Sequence, residues 1–305
     1  MRACVRFSCR PLVMAALAAA ASPGWAARPL AYAFKKGSSC RLLENVQGSL
    51  AVSGSGLTMN GTFSFSAEGS LYVLDSTPEG LAQMEGTLSR IQGALSFPMA
   101  GTMTLDSSRE DPPADQRLAR AQAQARSWTG KPLRFTVDSR GRILKAWLVN
   151  PSAKDPPKEE TLLGIASFLY VPLPENSPFP GQEWDPLPAP IPGAAVRMSL
   201  DRPGPPEVVF HLGLNLDLAA LAGGSGLTAV TPNSEAVQGF LSGLGGQASG
   251  SGKASYSSRT GLPQSGTGNL KGTFSFKNPQ TPEAPPMTAE FSLAFSRTRP
   301  AAPAR

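Results

Sequence analysis

Histidine and cysteine are almost missing from this chain of 305 residues. His211 is the single imidazole, and of three cysteines two, Cys4 and Cys9, lie at the extreme N-terminus while Cys40 stands alone beyond them. That scarcity excludes His/Cys metal clusters and leaves any histidine-dependent catalysis to one residue. Aromatic residues make up 7% and charged residues 16%. Nucleic-acid recognition wants Lys and Arg clustered on one face with stacking aromatics, whereas here the bases are scattered among acids. The longest apolar run, Leu12 to Ala21, is about half of what a helix needs to cross a ~30 Å hydrocarbon core. What is present is a 41% hydrophobic composition with 31 Gly and 30 Pro. Such a chain can bury roughly three quarters of its unfolded surface and reads as turn-rich and mostly β.

Arg2, Arg6 and Arg10 precede the apolar run, and Ser22-Pro23-Gly24-Trp25-Ala26 follows it. Residues 1–26 therefore read as a secretory signal peptide with cleavage after Ala26. No Cys directly follows the run, so lipidation is not expected, nor is a transmembrane anchor in the mature chain. Loss of the three arginines lowers the formal net charge from +6 to +3. Cys40 then has no intramolecular partner, and its alternation with Leu42 predicts a buried thiol. The expected location is the periplasm or the outside of the cell.

From Ala31 to Asp106 apolar residues alternate with Gly, Ser and Thr, as half-buried antiparallel strands require. Asn60-Gly61, between two alternating segments, predicts a tight primed turn. A second hairpin is expected over Leu133 to Val149, with Asp138-Ser139-Arg140-Gly141 as its turn and Ile143, Lys145, Trp147 and Val149 alternating on one arm. Asp111-Pro112-Pro113 introduces a helix carrying Leu118, Ala121, Ala125 and Trp128 on one face. Asp155-Pro156-Pro157 introduces another, with Leu162, Ile165, Ala166 and Leu169, stopped by Val171-Pro172. A third is expected after Thr231-Pro232. Eight prolines between Pro172 and Pro192 predict an extended connection over the surface. Strands return at Val196–Leu200, Glu207–Leu218, Ala248–Ser258, Gly268–Lys277 and Met287–Phe295. Gly-Thr-Phe-Ser-Phe occurs at 61–65 and again at 272–276, either as the mark of a duplication or as common strand vocabulary.

Motifs of chemistry are sparse. His211 shares its strand face with Asn215 and Asp217, but i and i+4 on a strand lie about 13 Å apart. Gly130-Lys131 and Gly252-Lys253 lack the Ser/Thr of a phosphate loop. Glu159-Glu160 and Glu110-Asp111 sit where helix dipoles favour negative charge. The residues point to an α+β, mostly β fold: a large curved antiparallel sheet, an open half-barrel, with two or three short helices covering its concave face. Residues 27–297 form a single β-rich domain with the proline-rich connection at 172–192, and 298–305 a disordered tail. A space between sheet and helices could admit a lipid tail, since fourteen methylenes at about 0.8 kcal/mol each give on the order of 11 kcal/mol gross.

This order of elements resembles the lipoprotein-carrier-like (LolA/LolB-like) half-barrels of bacterial envelopes. Phe168-Leu169-Tyr170-Val171-Pro172-Leu173-Pro174 with Pro180-Gly181-Gln182-Glu183-Trp184 is also similar to a Leu-Pro…Gly-x-x-Trp signature in exported bacterial proteins that begin with a Phe-Lys-Lys-Gly-like strand, here Phe34 to Gly37. The resemblance implies the holding of acyl chains between sheet and helices. The expectation is a non-enzymatic envelope protein that binds a lipid or an acylated protein, with Leu118, Trp128, Trp147, Leu162, Ile165 and Leu169 lining the cavity. No catalytic, metal or cofactor site is expected. The alternative is a structural or assembly protein that meets another envelope protein.

Overall fold

The computed structural model describes residues 30–300, apart from 55–56, 99–100, 112, 114, 151–158, 168, 177, 187–192, 203–204, 218, 221–243 and 277–285. The expected signal segment, the third expected helix and most of the expected C-terminal tail lie outside the described residues. The strands are β1 (Ser39–Gly54), β2 (Leu57–Ser76), β3 (Ala82–Phe97), β4 (Gly101–Asp106), β5 (Pro132–Val137), β6 (Ile143–Leu148), β7 (Glu183–Trp184), β8 (Ala194–Arg202), β9 (Glu207–Asp217), β10 (Leu244–Ser257), β11 (Pro263–Phe276) and β12 (Met287–Thr298). Two helices, α1 (Gln116–Trp128) and α2 (Glu159–Ser167), accompany them.

All twelve strands belong to one antiparallel sheet in the order β6-β5-β3-β2-β1-β12-β11-β10-β9-β8-β7. β4 shares the outer edge of β3 with β5: β5 pairs Ala82–Thr87 and β4 pairs Gln92–Phe97. The two ends of the described chain meet at the centre, where β1 pairs β12 from Leu43↔Thr298 to Ser53↔Thr288. Each arm of the sheet is thus a local meander, and one long-range ladder joins them.

Period-two alternation sends successive side chains to opposite faces. At the proximal end, where β1 starts and β2 ends, the apolar face is a closed core: Leu71, Val73, Met84, Phe135, Leu200 and Phe210 are at most 1% exposed. Its cover is α2, which lies against β6 and β5, together with Tyr32, Phe34 and the 169–184 segment. Hydrogen bonds hold that segment down. Tyr256 donates to the Leu169 carbonyl at 3.1 Å, Tyr32 to Val171 at 3.0 Å and Trp184 Nε1 to Pro172 at 3.0 Å. The two halves of the Leu-Pro…Gly-x-x-Trp signature are therefore parts of one clasp.

Several expectations need correction. Asn60-Gly61 makes no turn: both residues lie inside β2, and the chain reverses between the paired Gly54 and Leu57. Glycine is used at 61 because a Cβ there would lie 2.7 Å from Cδ1 of Phe97. The hairpin at 133–149 forms as expected, with Gly141 at φ +78°. A bulge places Ile143 opposite Val137 and Lys145 opposite Thr136, so Ile143 joins the apolar face while Lys145 and Trp147 take the other. α1 starts at Gln116, where the Asp115 carboxylate accepts from the Leu118 amide at 3.2 Å. Its inner face holds Gln122 and not Ala121, because the buried Gln122 amide donates to the carbonyls of Arg109 and Asp111. α2 ends at Ser167, short of Val171-Pro172. Of the proline-rich connection, the described residues from Pro172 to Pro186 lie largely at the surface, with Glu175, Asn176 and Phe179 exposed, but Leu173 and Trp184 turn inward and are buried. Phe34 to Gly37 is no strand either; it leads into a turn whose Gly37 amide donates to the Val73 carbonyl.

Candidate functional site

The six residues expected to line a cavity do not surround one space. Leu162 is buried in the core, while Trp128 and Leu169 pack half-buried against it. Leu118 is half-buried on α1, which leans on β4 and β3 and reaches the proximal core with its last residue, Trp128. Ile165, one helical step from buried Ala166, is 41% exposed. Trp147 lies on the opposite face of β6 from buried Ala146, with Lys145 Nζ 5.6 Å from its ring centroid. Leu162 and Ala166 of α2 belong with Phe135, Val137 and Ala146 of β5 and β6 to one buried cluster. Ring contacts of 5.2 to 5.9 Å link Tyr32, Phe34, Tyr170, Tyr256 and Phe210 into one cluster.

The distal half of the sheet is different. Beyond the row that contains Glu44 and Arg297, the same apolar face continues along β1 from Val46 to Gly54, β2 from Met59 to Ala67, β12 from Met287 to Phe295 and β11 from Gly268 to Phe274. Leu212, Leu214 and Leu216 of β9 and Ile91, Leu95 and Phe97 of β3 extend it on either side. By register, every described position on this face from β4 to β8 is Gly, Ala, Val, Leu, Ile, Met or Phe. The opposite face of these strands carries Ser, Thr, Asn, Gln, charged residues, His211, Gly and Ala. α1 leans on β4 and β3, but from β2 to β8 neither described helix packs on the distal apolar face in the way that α2 and the clasp cover the proximal one. Met59, Phe65 and Phe295 are 48%, 43% and 38% exposed.

Phenylalanines on this face stand directly across from glycines: Phe63 from Gly48, Phe65 from Gly93, Phe274 from Gly246, Phe291 from Gly272 and Phe295 from Gly268. The Phe63 and Phe295 rings lie over Gly48 and Gly268, where a Cβ would collide with them. Sequence reading saw the alternation of Phe with Ser and Thr but missed the matching, because glycine and phenylalanine come from different strands. The repeated Gly-Thr-Phe-Ser-Phe segments occupy β2 and β11, which flank the central β1–β12 pair, and Gly61, Leu50, Phe291 and Gly272 form one cross-sheet row.

A trough of about 1380 Å³ crosses eight neighbouring strands of this half, from β3 to β8. On each inner strand it takes two polar-face residues and the one between them, as in Asn60-Gly61-Thr62, Lys271-Gly272-Thr273 and Glu290-Phe291-Ser292. Phe97, whose ring covers Gly61 on the apolar face, is not in its wall. The trough therefore lies on the polar face, which is concave here. The apolar face of the distal half is convex.

Charge is segregated in the same way. Among the described residues the apolar face has one ion pair, Arg297 Nη2 to Glu44 Oε1 at 2.7 Å, on the row where covered core gives way to open surface. His211 faces the polar side and meets Asp201 at 3.2 Å, across the β8–β9 ladder and not along its own strand. Among the described residues no group of His, Cys, Asp and Glu could hold a metal ion, and no helix is long and apolar enough to cross a membrane.

No protein-family model matches the sequence, and no curated protein does. Similar solved structures include a lipovitellin, titled for its lipid–protein interactions, at TM-score 0.47 and 12% identity; the match covers 89% of this chain and 26% of that one. The chain thus spans about a quarter of that protein's length. A DUF1329 family protein from Desulfovibrio piger matches at TM-score 0.17 and 7% identity over 86% of this chain and 87% of its own. The outer membrane protein OprG from Pseudomonas aeruginosa matches at TM-score 0.18 and 7% identity over 88% and 99%.

Proposed function

We propose that this chain is a non-enzymatic lipid-binding protein of the cell envelope, exported to the periplasm or beyond, whose distal sheet face receives acyl chains. One observation carries the reading: a surface spanning β2 to β8 that contains no polar side chain at any described position and against which neither described helix packs. Soluble proteins seldom expose apolar patches beyond a few hundred Å², and larger ones mark interaction sites. Hydrocarbon is the chemistry that such a face accepts without leaving a polar group of the ligand unmatched. Each methylene laid against it contributes about 0.8 kcal/mol before ordering costs.

In this reading the proximal core is the frame and not the pocket. Leu162 and Leu169 fix α2 and the clasp to this core, Trp128 packs the end of α1 against it, and Leu118, Ile165 and Trp147 lie apart from it. The order of meander, helix, hairpin, helix and returning strands still supports the lipoprotein-carrier likeness, with the lipid displaced from the helix-covered end to the distal one. Native mass spectrometry of protein exported during expression tests the proposal. Adducts of acyl mass are expected, weakened by Phe65→Asp together with Leu293→Asp. Clean spectra, with no uptake of a fluorescent fatty acid, would refute it.

A second reading, an assembly protein, draws on the sheet edges. Among the described residues β4 pairs only with β3, and the Ala194–Arg197 stretch of β8 pairs only with β9. Unpaired edges are templates for strand addition. Crosslinking that captures one specific envelope protein and no lipid would favour this reading.

A further inference from the structure

We infer that the distal half of the sheet docks face-on against the hydrocarbon of a membrane leaflet, the polar trough remaining turned to water. This rests on the lipid-binding reading and names its partner as a bilayer rather than an enclosed single lipid. Three features of the fold support it.

The first is curvature. A carrier holds a lipid in an apolar concavity, but here the concave face is the polar one, lined by residues such as Asn60, Asn215 and Lys271. A convex apolar face cannot wrap a ligand, and two such faces meet only along a line, which disfavours a second copy as the occupant. Fluid acyl chains conform to it.

The second is extent. From Val46 to Gly54 the apolar positions run for about 27 Å at ~3.4 Å per residue, comparable to the ~25 Å apolar band of membrane β-proteins. No charged residue occupies any described position of this face beyond the Glu44–Arg297 row. Protein interfaces, in contrast, carry polar groups at their rims.

The third is the margin. The band ends at the Glu44–Arg297 ion pair, and two residues later Arg299 is exposed. An exposed cationic side chain at the border of an apolar surface meets anionic headgroups. Tyr32, Tyr170 and Tyr256 lie just inside the covered core beyond it.

The full mature chain would be floated with vesicles of phosphatidylethanolamine and phosphatidylglycerol. Co-flotation is expected to persist at high salt and to fall at least tenfold in the double variant Phe65→Ser, Phe295→Ser, while Asn215→Ser in the trough changes nothing. Because face variants could unfold, a second measurement uses adjacent residues on opposite faces. In a Cys40→Ser background, Met59→Cys and Asn60→Cys are each labelled with an environment-sensitive dye. A blue shift on adding vesicles is expected at position 59 and not at 60. Equal shifts at both positions, or flotation abolished by salt, would overturn the inference. Binding of monomeric fatty acid without flotation would also overturn it and leave the lipid-binding reading standing. Loss of both would remove both, and a discrete dimer in place of flotation would assign the face to a second copy.

Discussion

Phe63 faces Gly48 across the β1–β2 ladder, and a Cβ on Gly48 would lie 2.7 Å from the Phe63 ring at Cε1. Gly48→Val is therefore expected to destabilise by about 1–3 kcal/mol, the usual cost of overpacking. Denaturant unfolding measures it. Adding Phe63→Ala should recover only part of the loss, because the Ser292 carbonyl is also 2.7 Å away. Full tolerance of valine at position 48 would mean that the ring does not lie where the structure puts it.

Tyr170 carries the one buried side-chain oxygen without a hydrogen-bond partner among the described residues. A buried unsatisfied hydroxyl costs on the order of 1–3 kcal/mol. Tyr170→Phe should raise stability by about 1 kcal/mol, whereas Tyr32→Phe, which loses the bond to Val171, should lower it by a similar amount. Opposite signs from two tyrosines 5.3 Å apart would be hard to obtain from general packing effects.

The same cluster sets an alkaline limit. Burial pushes the Tyr256 hydroxyl up to about 12 and raises Tyr32 and Tyr170 as well. A raised folded pKa favours the neutral form, so stability holds below the ordinary tyrosine value of ~10 and declines as pH climbs toward 12. Tyrosinate absorbance of these three residues should appear together with loss of near-ultraviolet circular dichroism, not before it.

At the acid end, Asp106 is the sensitive group. Arg90 bonds its carboxylate at 2.6 Å, and the Ser108 hydroxyl and amide at 2.7 and 3.0 Å, which hold its carboxyl well below the usual range. A lowered folded pKa contributes stability above the unfolded value of ~3.9, and this is lost as pH falls through the range between the two. Asp106→Asn should lower stability at neutral pH and flatten the acid limb of the stability–pH curve. An unchanged limb would show that the pair does not hold the β3–β4 corner.

Cys40 is buried, and burial raises its thiol pKa. Maleimide should label native protein slowly and at the rate of global opening, and labelling should accelerate sharply near the unfolding midpoint. Fast labelling of folded protein would place the thiol at the surface.

Much of this fold is local information. The alternation in Leu212-Gly213-Leu214-Asn215-Leu216, or in Phe63-Ser64-Phe65, determines a strand with one apolar face whatever surrounds it, because side chains alternate sides on any extended chain. The hairpin at Asp138–Gly141 is equally local. Reading of the same kind failed at Asn60-Gly61, because glycine there serves the Phe97 ring of another strand and not a turn. At Pro172–Trp184 the prolines marked an irregular connection, but nothing local showed that Leu173 and Trp184 would turn into the core and that Trp184 Nε1 would bond back to the Pro172 carbonyl.

The sequence by itself determined that this protein has a two-sided sheet, one side oily and one side wet, and that Cys40 would be sheltered. Only tertiary structure decided which stretch of the oily side is covered, because α2 and the clasp reach the proximal end alone. It also decided which side is concave, since curvature arises from twist accumulated over the whole sheet and no single strand encodes it.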